Sequence, residues 1–264
     1  MTARASHRPV GTVTRGTTNP NRLRRMDRWI AAVQGAELRR AVDPVAVDLG
    51  YGAAPWTAVE LLGRLRGVAP GVRVVGVEIE PVRVAAAKPY ERDGLVFLHG
   101  GFEIPVAGRP MLVRAANVLR QYEEAEVAGV WERLCARLAP GGLLVEGTCD
   151  EVGRRHVWVA LGPEGPRTVT FATRLGSLER PSDLAERLPK ALIHRNVPGE
   201  PVHAFLRDFD RAWSAAAPYA SYGARQRWIR TVRDLTADWP VTDGAERWRQ
   251  GEVTVAWEAL APRS

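Results

Sequence analysis

Apolar residues in this chain fall into short runs set between longer amphipathic stretches. Val45, Ala46 and Val47 make the first run, and Val72, Val74, Val75 and Val77 the second. Residues 95–98, 111–116 and 143–145 continue the series. In residues 123–138, Val127, Val130, Trp131, Leu134 and Leu138 share one helical face. Strand-length runs alternating with helix-length segments predict a mostly parallel central sheet covered by helices. Upstream, Asn19-Pro20 has the form of a helix start, with Asn19 as N-cap and Leu23, Met26, Ile30 and Val33 following on one face. Residues 1–18 are polar, basic and aperiodic, which predicts a flexible arm. Downstream, residues 156–161 and 167–173 flank a Gly162-Pro163-Glu164-Gly165 turn and predict a hairpin, an antiparallel edge to the sheet. Residues 205–217 and 224–238 have helical spacing, and residues 252–258 are strand-like. The predicted organisation is a basic arm (1–18), an α/β core with its leading helix (19–175), and a mainly helical C-terminal extension or cap (176–264).

The first run ends in chemistry. Asp48 closes it, Gly50 and Gly52 follow around Tyr51, and Pro55 opens a helix-compatible segment. A strand, a glycine turn and a helix bring backbone N–H groups to a ligand at the positive end of the helix. The second run ends at Glu78, with Glu80 and Pro81 just beyond, and the fourth at Asn117. A dinucleotide site requires Gly-x-Gly-x-x-Gly, and the third glycine is missing here. The fifth run is preceded by Ala139-Pro140-Gly141-Gly142, a helix stop and turn.

The Asp48-x-Gly50-x-Gly52 turn resembles the first motif of class I S-adenosylmethionine (SAM) dependent methyltransferases, and Glu78, Asn117 and the Pro140-Gly141-Gly142 turn agree with that family in order. The resemblance implies a Rossmann-like class I methyltransferase fold that binds SAM. Asp48 and the loop through Gly50, Tyr51 and Gly52 would cradle the methionine part, and Glu78 would accept both ribose hydroxyls. Family members often carry an Asp beyond the third strand; here Gly101 stands in that place. Adenine would then meet backbone groups there and the face of Phe102, a residue that ordinary core packing suits as well. Asn117 is the catalytic candidate, orienting a substrate or touching the amino-acid part of SAM, or else it is a helix N-cap before Val118. Asn117-Val-Leu-x-x-Tyr122 is also similar to the chemotaxis receptor glutamate methyltransferases over about 30 residues, without that family's N-terminal helical domain.

At 264 residues and 45% apolar composition the chain suits one α/β domain with additions. No run of apolar residues is long enough to predict a membrane span, and the N-terminus lacks the apolar segment of a secretory signal. Cys135 and Cys149 lack metal-ligand spacing, and His194 and His203 have no carboxylate partner at such spacing, so a cytoplasmic protein without a metal is expected. The formal charge is +7, almost all from arginine. Arg24 or Arg25 could meet an anionic group, and Arg225, Arg227, Arg230 and Arg233 interleave with Trp228 either as a nucleic-acid surface or as an amphipathic helix with Trp228 in the core. The expected activity is methyl transfer from SAM to an unidentified small-molecule acceptor. RNA or DNA methylation and non-catalytic SAM binding are the alternatives.

Overall fold

The computed structural model describes residues 9–263. Five strands form a parallel block: β1 (Val45–Leu49), β2 (Arg73–Glu78), β3 (Leu95–His99), β4 (Leu112–Ala116) and β5 (Leu143–Cys149). Three more alternate in direction: β6 (Arg155–Gly162), β7 (Gly165–Thr173) and β8 (Glu252–Ala256). The sheet order is β3-β2-β1-β4-β5-β6-β7-β8. The chain therefore has a Rossmann-like α/β fold, mostly parallel with an antiparallel edge. The switch in strand order falls between β1 and β4, where open α/β sheets take ligands beyond the carboxyl ends of their strands.

Helices α1 (Arg24–Arg40), α2 (Trp56–Arg66) and α3 (Pro81–Ala87) cover one face. Their core holds Met26, Trp29, Ile30, Leu61, Leu65 and Trp158. The other face carries α4 (Glu124–Cys135), the short α5 (Lys190–Ile193), α6 (Pro201–Ala215) and α7 (Ala224–Leu235); a further short helix, α8 (Ala245–Trp248), precedes β8. Phe205, Phe209, Trp228 and Val253 share a single core with Val47, Val113 and Trp131, so the C-terminal third packs directly on the sheet and contributes β8 to it.

Three local expectations are corrected. Helix α1 starts at Arg24 rather than at Pro20, because Asn21 takes a left-handed φ of 62° and Asn19 donates its amide to the Glu151 carbonyl instead of capping. Val33 is exposed, and Trp29 and Leu38 complete the buried face in its place. The segment expected to be a flexible arm is, over residues 9–18, held against the body by the hydrogen bonds described below; residues 1–8 lie outside the described residues.

The α7 arginines separate. Trp228 is buried in the core, Arg227 lies 3.8 Å over the Trp213 ring, and Arg230 pairs with Asp234. Arg225 alone of the four lines the cleft described under the further inference. Among the described residues no helix is long and apolar enough to cross a membrane.

Candidate functional site

A cleft of about 630 Å³ opens at the carboxyl ends of β1 and β4. Its floor is the Gly50–Gly52 turn. Both glycines have positive φ (67° and 88°), where a side chain is strained. A Cβ at Gly50 would stand 2.8 Å from the Val118 side chain, and one at Gly52 would stand 2.6 Å from the Gly16 carbonyl oxygen. The turn is thus a backbone surface. Tyr51 does not place its ring in the cleft: the ring packs on Phe97 at 5.1 Å, and its hydroxyl donates to the Arg83 carbonyl.

Asp48 is buried at the end of β1. Its carboxylate accepts from Thr57 Oγ1 (2.7 Å) and Arg114 Nη2 (2.7 Å). Arg114, fully buried, also pairs with Asp27, which pairs in turn with Arg64 at 2.6 Å. Burial alone would lower the Arg114 pKa, but Asp27 and Asp48 hold it above its ordinary value, so Arg114 stays charged. The carboxyl group at the mouth of the turn is therefore fixed in place by Arg114 and Thr57.

Glu78, buried at the end of β2, accepts from the backbone N–H groups of Gly52 (3.0 Å), Ile79 (3.0 Å) and Glu80 (3.2 Å), with Arg83 Nη1 at 3.5 Å. Three of these four donors crowd Oε1, and Oε2 has one. Asn117 follows β4 with a left-handed φ of 61°. It caps no helix: its Oδ1 accepts from the Cys149 N–H (3.0 Å) and its Nδ2 donates to Cys149 Sγ (3.2 Å). Burial raises the Cys149 thiol above its ordinary pKa, so Cys149 lines the cleft as a neutral thiol.

The narrow end beside Glu78 and Phe102 is occupied by the protein's own chain. Residues 10–16 cross from Phe102 to the glycine turn. The Phe102 N–H donates to the Val10 carbonyl (2.8 Å), and the Val10 N–H donates to Glu103 Oε2 (2.8 Å). Thr12 N–H reaches the Tyr122 hydroxyl (2.6 Å), Arg83 reaches the Thr14 carbonyl (2.8 Å), and Ala53 N–H reaches the Gly16 carbonyl (2.8 Å). The cavity left beside Glu78 and Phe102 measures about 20 Å³, room for about one water. Phe102 is buried against Tyr122 (5.3 Å), with Gly11 over its edge.

The structure brings Asp48, Gly50, Gly52 and Asn117 to one cleft and Glu78 and Phe102 to its narrow end. Sequence reasoning missed Glu103, which supplies a carboxylate two residues beyond Gly101 and also accepts the Gly101 N–H (2.8 Å). It missed Arg114, hidden in an apolar run, and Arg187, which joins the weaker candidate Arg120 at the rim of the cleft. Arg187 is separated from Asn117 by 70 positions, and no local pattern marked it.

No protein-family profile and no curated protein matches this chain. Solved structures similar to it include human N-acetylserotonin methyltransferase in complex with SAM (24% identity, TM-score 0.32, 45% of this chain and 34% of that one). Magnesium protoporphyrin IX methyltransferase from Synechocystis with bound S-adenosylhomocysteine is similar at 17% identity and TM-score 0.37, over 47% of this chain and 53% of that one. Precorrin-6y C5,15-methyltransferase from Geobacter metallireducens is similar at 16% identity and TM-score 0.32, over 45% and 61%. The aligned part of this chain thus spans between a third and about six tenths of these proteins' length.

Proposed function

We propose that the chain is a SAM-dependent methyltransferase acting on a small anionic acceptor. The observation that carries the reading is the pairing of a side-chain-free Gly50–Gly52 turn with the buried Glu78 carboxylate one strand away, Gly52 N–H donating to Glu78 itself. A carboxylate fixed in that way has a lone pair left on Oε2 for a diol, and the turn presents backbone to whatever lies beside it. Glu103 and the Phe102 N–H fit an adenine edge, one accepting from an amino group and the other donating to a ring nitrogen. Val10 satisfies that same pair with its own N–H and carbonyl, so its backbone stands in for the base. The cleft fits the cofactor once residues 10–14 have moved.

When bound, SAM supplies an activated methyl group on a sulfonium. The protein's part is to align the acceptor and exclude water. Asp48 faces that end as a carboxyl group held in place by Arg114 and Thr57. Asn117, locked to Cys149 by two hydrogen bonds, orients rather than reacts. Arg120 and Arg187 line the wider end; burial, and then the neighbouring Arg187, lower the Arg120 pKa, and Glu186, 3.4 Å from Arg187 Nε, opposes this. Among the described residues Arg120 has no carboxylate within ion-pair distance, so an acceptor carboxylate or phosphate would add to the one negative charge that Glu186 supplies.

Calorimetry with SAM and S-adenosylhomocysteine tests the reading. Binding should be lost, by about a hundredfold or more, on Glu78→Ala and on Gly50→Val. Absence of binding to the native chain and to a variant with the arm unseated sinks it. Labelled SAM added to cell extract, with mass spectrometry of the products, separates catalysis from non-catalytic binding. A nucleic-acid acceptor is the second reading, favoured by one observation, the arginine-lined cleft that follows.

A further inference from the structure

A second cleft, of about 750 Å³, lies at the same end of the sheet, beyond the turn that joins β5 to β6. Among the described residues eight arginines line it and a single carboxylate, Glu252. Helices α1 and α7 both open onto it. Arg24, Arg25 and Arg28 come from the start of α1, and Arg225 from the first turn of α7. Arg154 precedes β6, Arg174 follows β7, and Arg247 and Arg249 precede β8.

This arrangement opposes ordinary electrostatics. Helix N-termini carry partial positive charge and favour acidic residues. Here α7 has no acid in its first turn, and the one in α1, Asp27, is turned inward to Arg114 and Arg64. Arg247 pairs with Glu252, at 2.7 Å through Nε. Among the described residues the other seven have no carboxylate within ion-pair distance. The buried Nε of Arg25 has no hydrogen-bond partner. Burial lowers the Arg25 pKa; Glu252 opposes this, and Arg28, Arg174 and Arg24 add to it. Eight arginines against one carboxylate leave +7, the same as the formal excess of the whole chain. The rest of the protein is neutral on balance, and its surplus charge is gathered at one place.

We propose that this cleft binds an anion bearing several closely spaced phosphates, either a free oligophosphate chain or consecutive phosphates of a nucleic-acid strand. One carboxylate would neutralise one guanidinium, whereas seven unpaired guanidiniums call for a multivalent ligand. The guanidinium fork matches phosphate oxygens in pairs. The volume is that of a small-ligand site, about 300–1,000 Å³. Among the described residues no aromatic side chain lines the cleft to stack on a base, so recognition there is of the phosphates. The inference is independent of methyl transfer and stands or falls without it.

The experiment uses the full chain with two probes: inorganic tripolyphosphate by calorimetry, and a labelled single-stranded RNA of about 12 nucleotides by anisotropy. The variants are Arg24→Ser/Arg174→Ser and Arg154→Ser/Arg249→Ser, all four positions exposed. The control is Arg207→Ser/Arg211→Ser, which removes equal charge from exposed positions on α6. Each cleft pair should weaken the bound probe by about tenfold or more, the control by less than about threefold, and binding should fall steeply with salt. Tripolyphosphate binding that the RNA does not displace assigns a free oligophosphate. RNA binding that tripolyphosphate displaces assigns a strand. If neither probe binds, or if the control pair costs as much as the cleft pairs, the proposal is overturned. SAM binding measured on the same variants should not change, which keeps this outcome separate from that of the methyltransferase reading.

Discussion

Two clefts share one end of the sheet and treat charge in opposite ways. In the cleft above β1 and β4 every ionised group near the floor is matched: Asp48 and Asp27 on Arg114, Glu78 on backbone donors. In the cleft above β6 to β8 seven guanidiniums stand without a carboxylate. The first site is pre-organised and carries its own counter-ions, which suits a ligand recognised by shape and hydrogen bonds. The second lacks its counter-ions, which suits a ligand that brings them. Stability and binding should therefore be divided differently between the two regions.

The largest effect tests the matched side. Arg114→Leu removes the cation shared by two buried carboxylates, leaving Asp27 with Arg64 alone and Asp48 with the Thr57 hydroxyl alone, and should cost about 3–5 kcal/mol of stability by chemical denaturation. A loss under about 1 kcal/mol would mean that the network is not the internally balanced unit described here.

Glu146 provides the exception within the parallel block. It is fully buried on β5, and neither of its oxygens has a hydrogen-bond partner among the described residues. Burial pushes its pKa up to about 8. The folded chain keeps this proton at pH values where the unfolded chain, with a pKa of about 4.3, has released it. Protons bound in the folded state then exceed those in the unfolded state, so stability falls as pH rises through that window and levels off above about pH 8. The contribution of Glu146 to that slope should approach about 1.4 kcal/mol per pH unit. Glu146→Gln should remove it, seen as a flatter profile of denaturation midpoints between pH 5 and 8.

These groups also mark how far the chain can be read before it folds. The glycine turn, Asp48, Glu78 and Asn117 were legible because each sits at the end of its own apolar run, and strand ends in a parallel sheet converge. Arg114 was read as strand and no more, since its partners Asp27 and Asp48 lie 87 and 66 positions away. The seat of the arm was hidden for the same reason: Val10 meets Glu103 across 93 positions. A polar, aperiodic segment has the composition of a free arm, yet its backbone alone can be held if the folded body offers matching donors and acceptors. The arginine cleft draws on helix starts and loops from Arg24 to Arg249, so no single segment showed it. The antiparallel edge was legible for a local reason: one five-residue turn after β5 and the Gly162–Gly165 hairpin let β6 and β7 pair directly beside β5.

The arm sharpens the contrast, because it fills the narrow end of the matched cleft and leaves the other cleft untouched. Gly11 has a φ of 128°, and a Cβ there would stand 2.9 Å from the Tyr122 hydroxyl. Gly11→Val should unseat the arm without touching Glu78 or the glycine turn. SAM affinity should then rise about tenfold, equivalent to about 1.4 kcal/mol of competition removed. A fall in affinity would make the arm a lid that completes the site rather than a competitor for it.

The smallest effect belongs to the unmatched cleft. Arg174 is exposed and has no ion-pair partner, so nothing is left orphaned when it is removed. Arg174→Ser should therefore leave the unfolding free energy within about 0.5 kcal/mol of the parent, on the stabilising side if mutual repulsion among the arginines is felt. That gain should shrink as salt is raised toward about 1 M, where the screening length drops to about 3 Å. Thermal denaturation of parent and variant at low and high salt measures both. A clear loss of stability at either salt concentration would show Arg174 to be a structural residue with partners of its own, and would erase the distinction drawn between the two clefts.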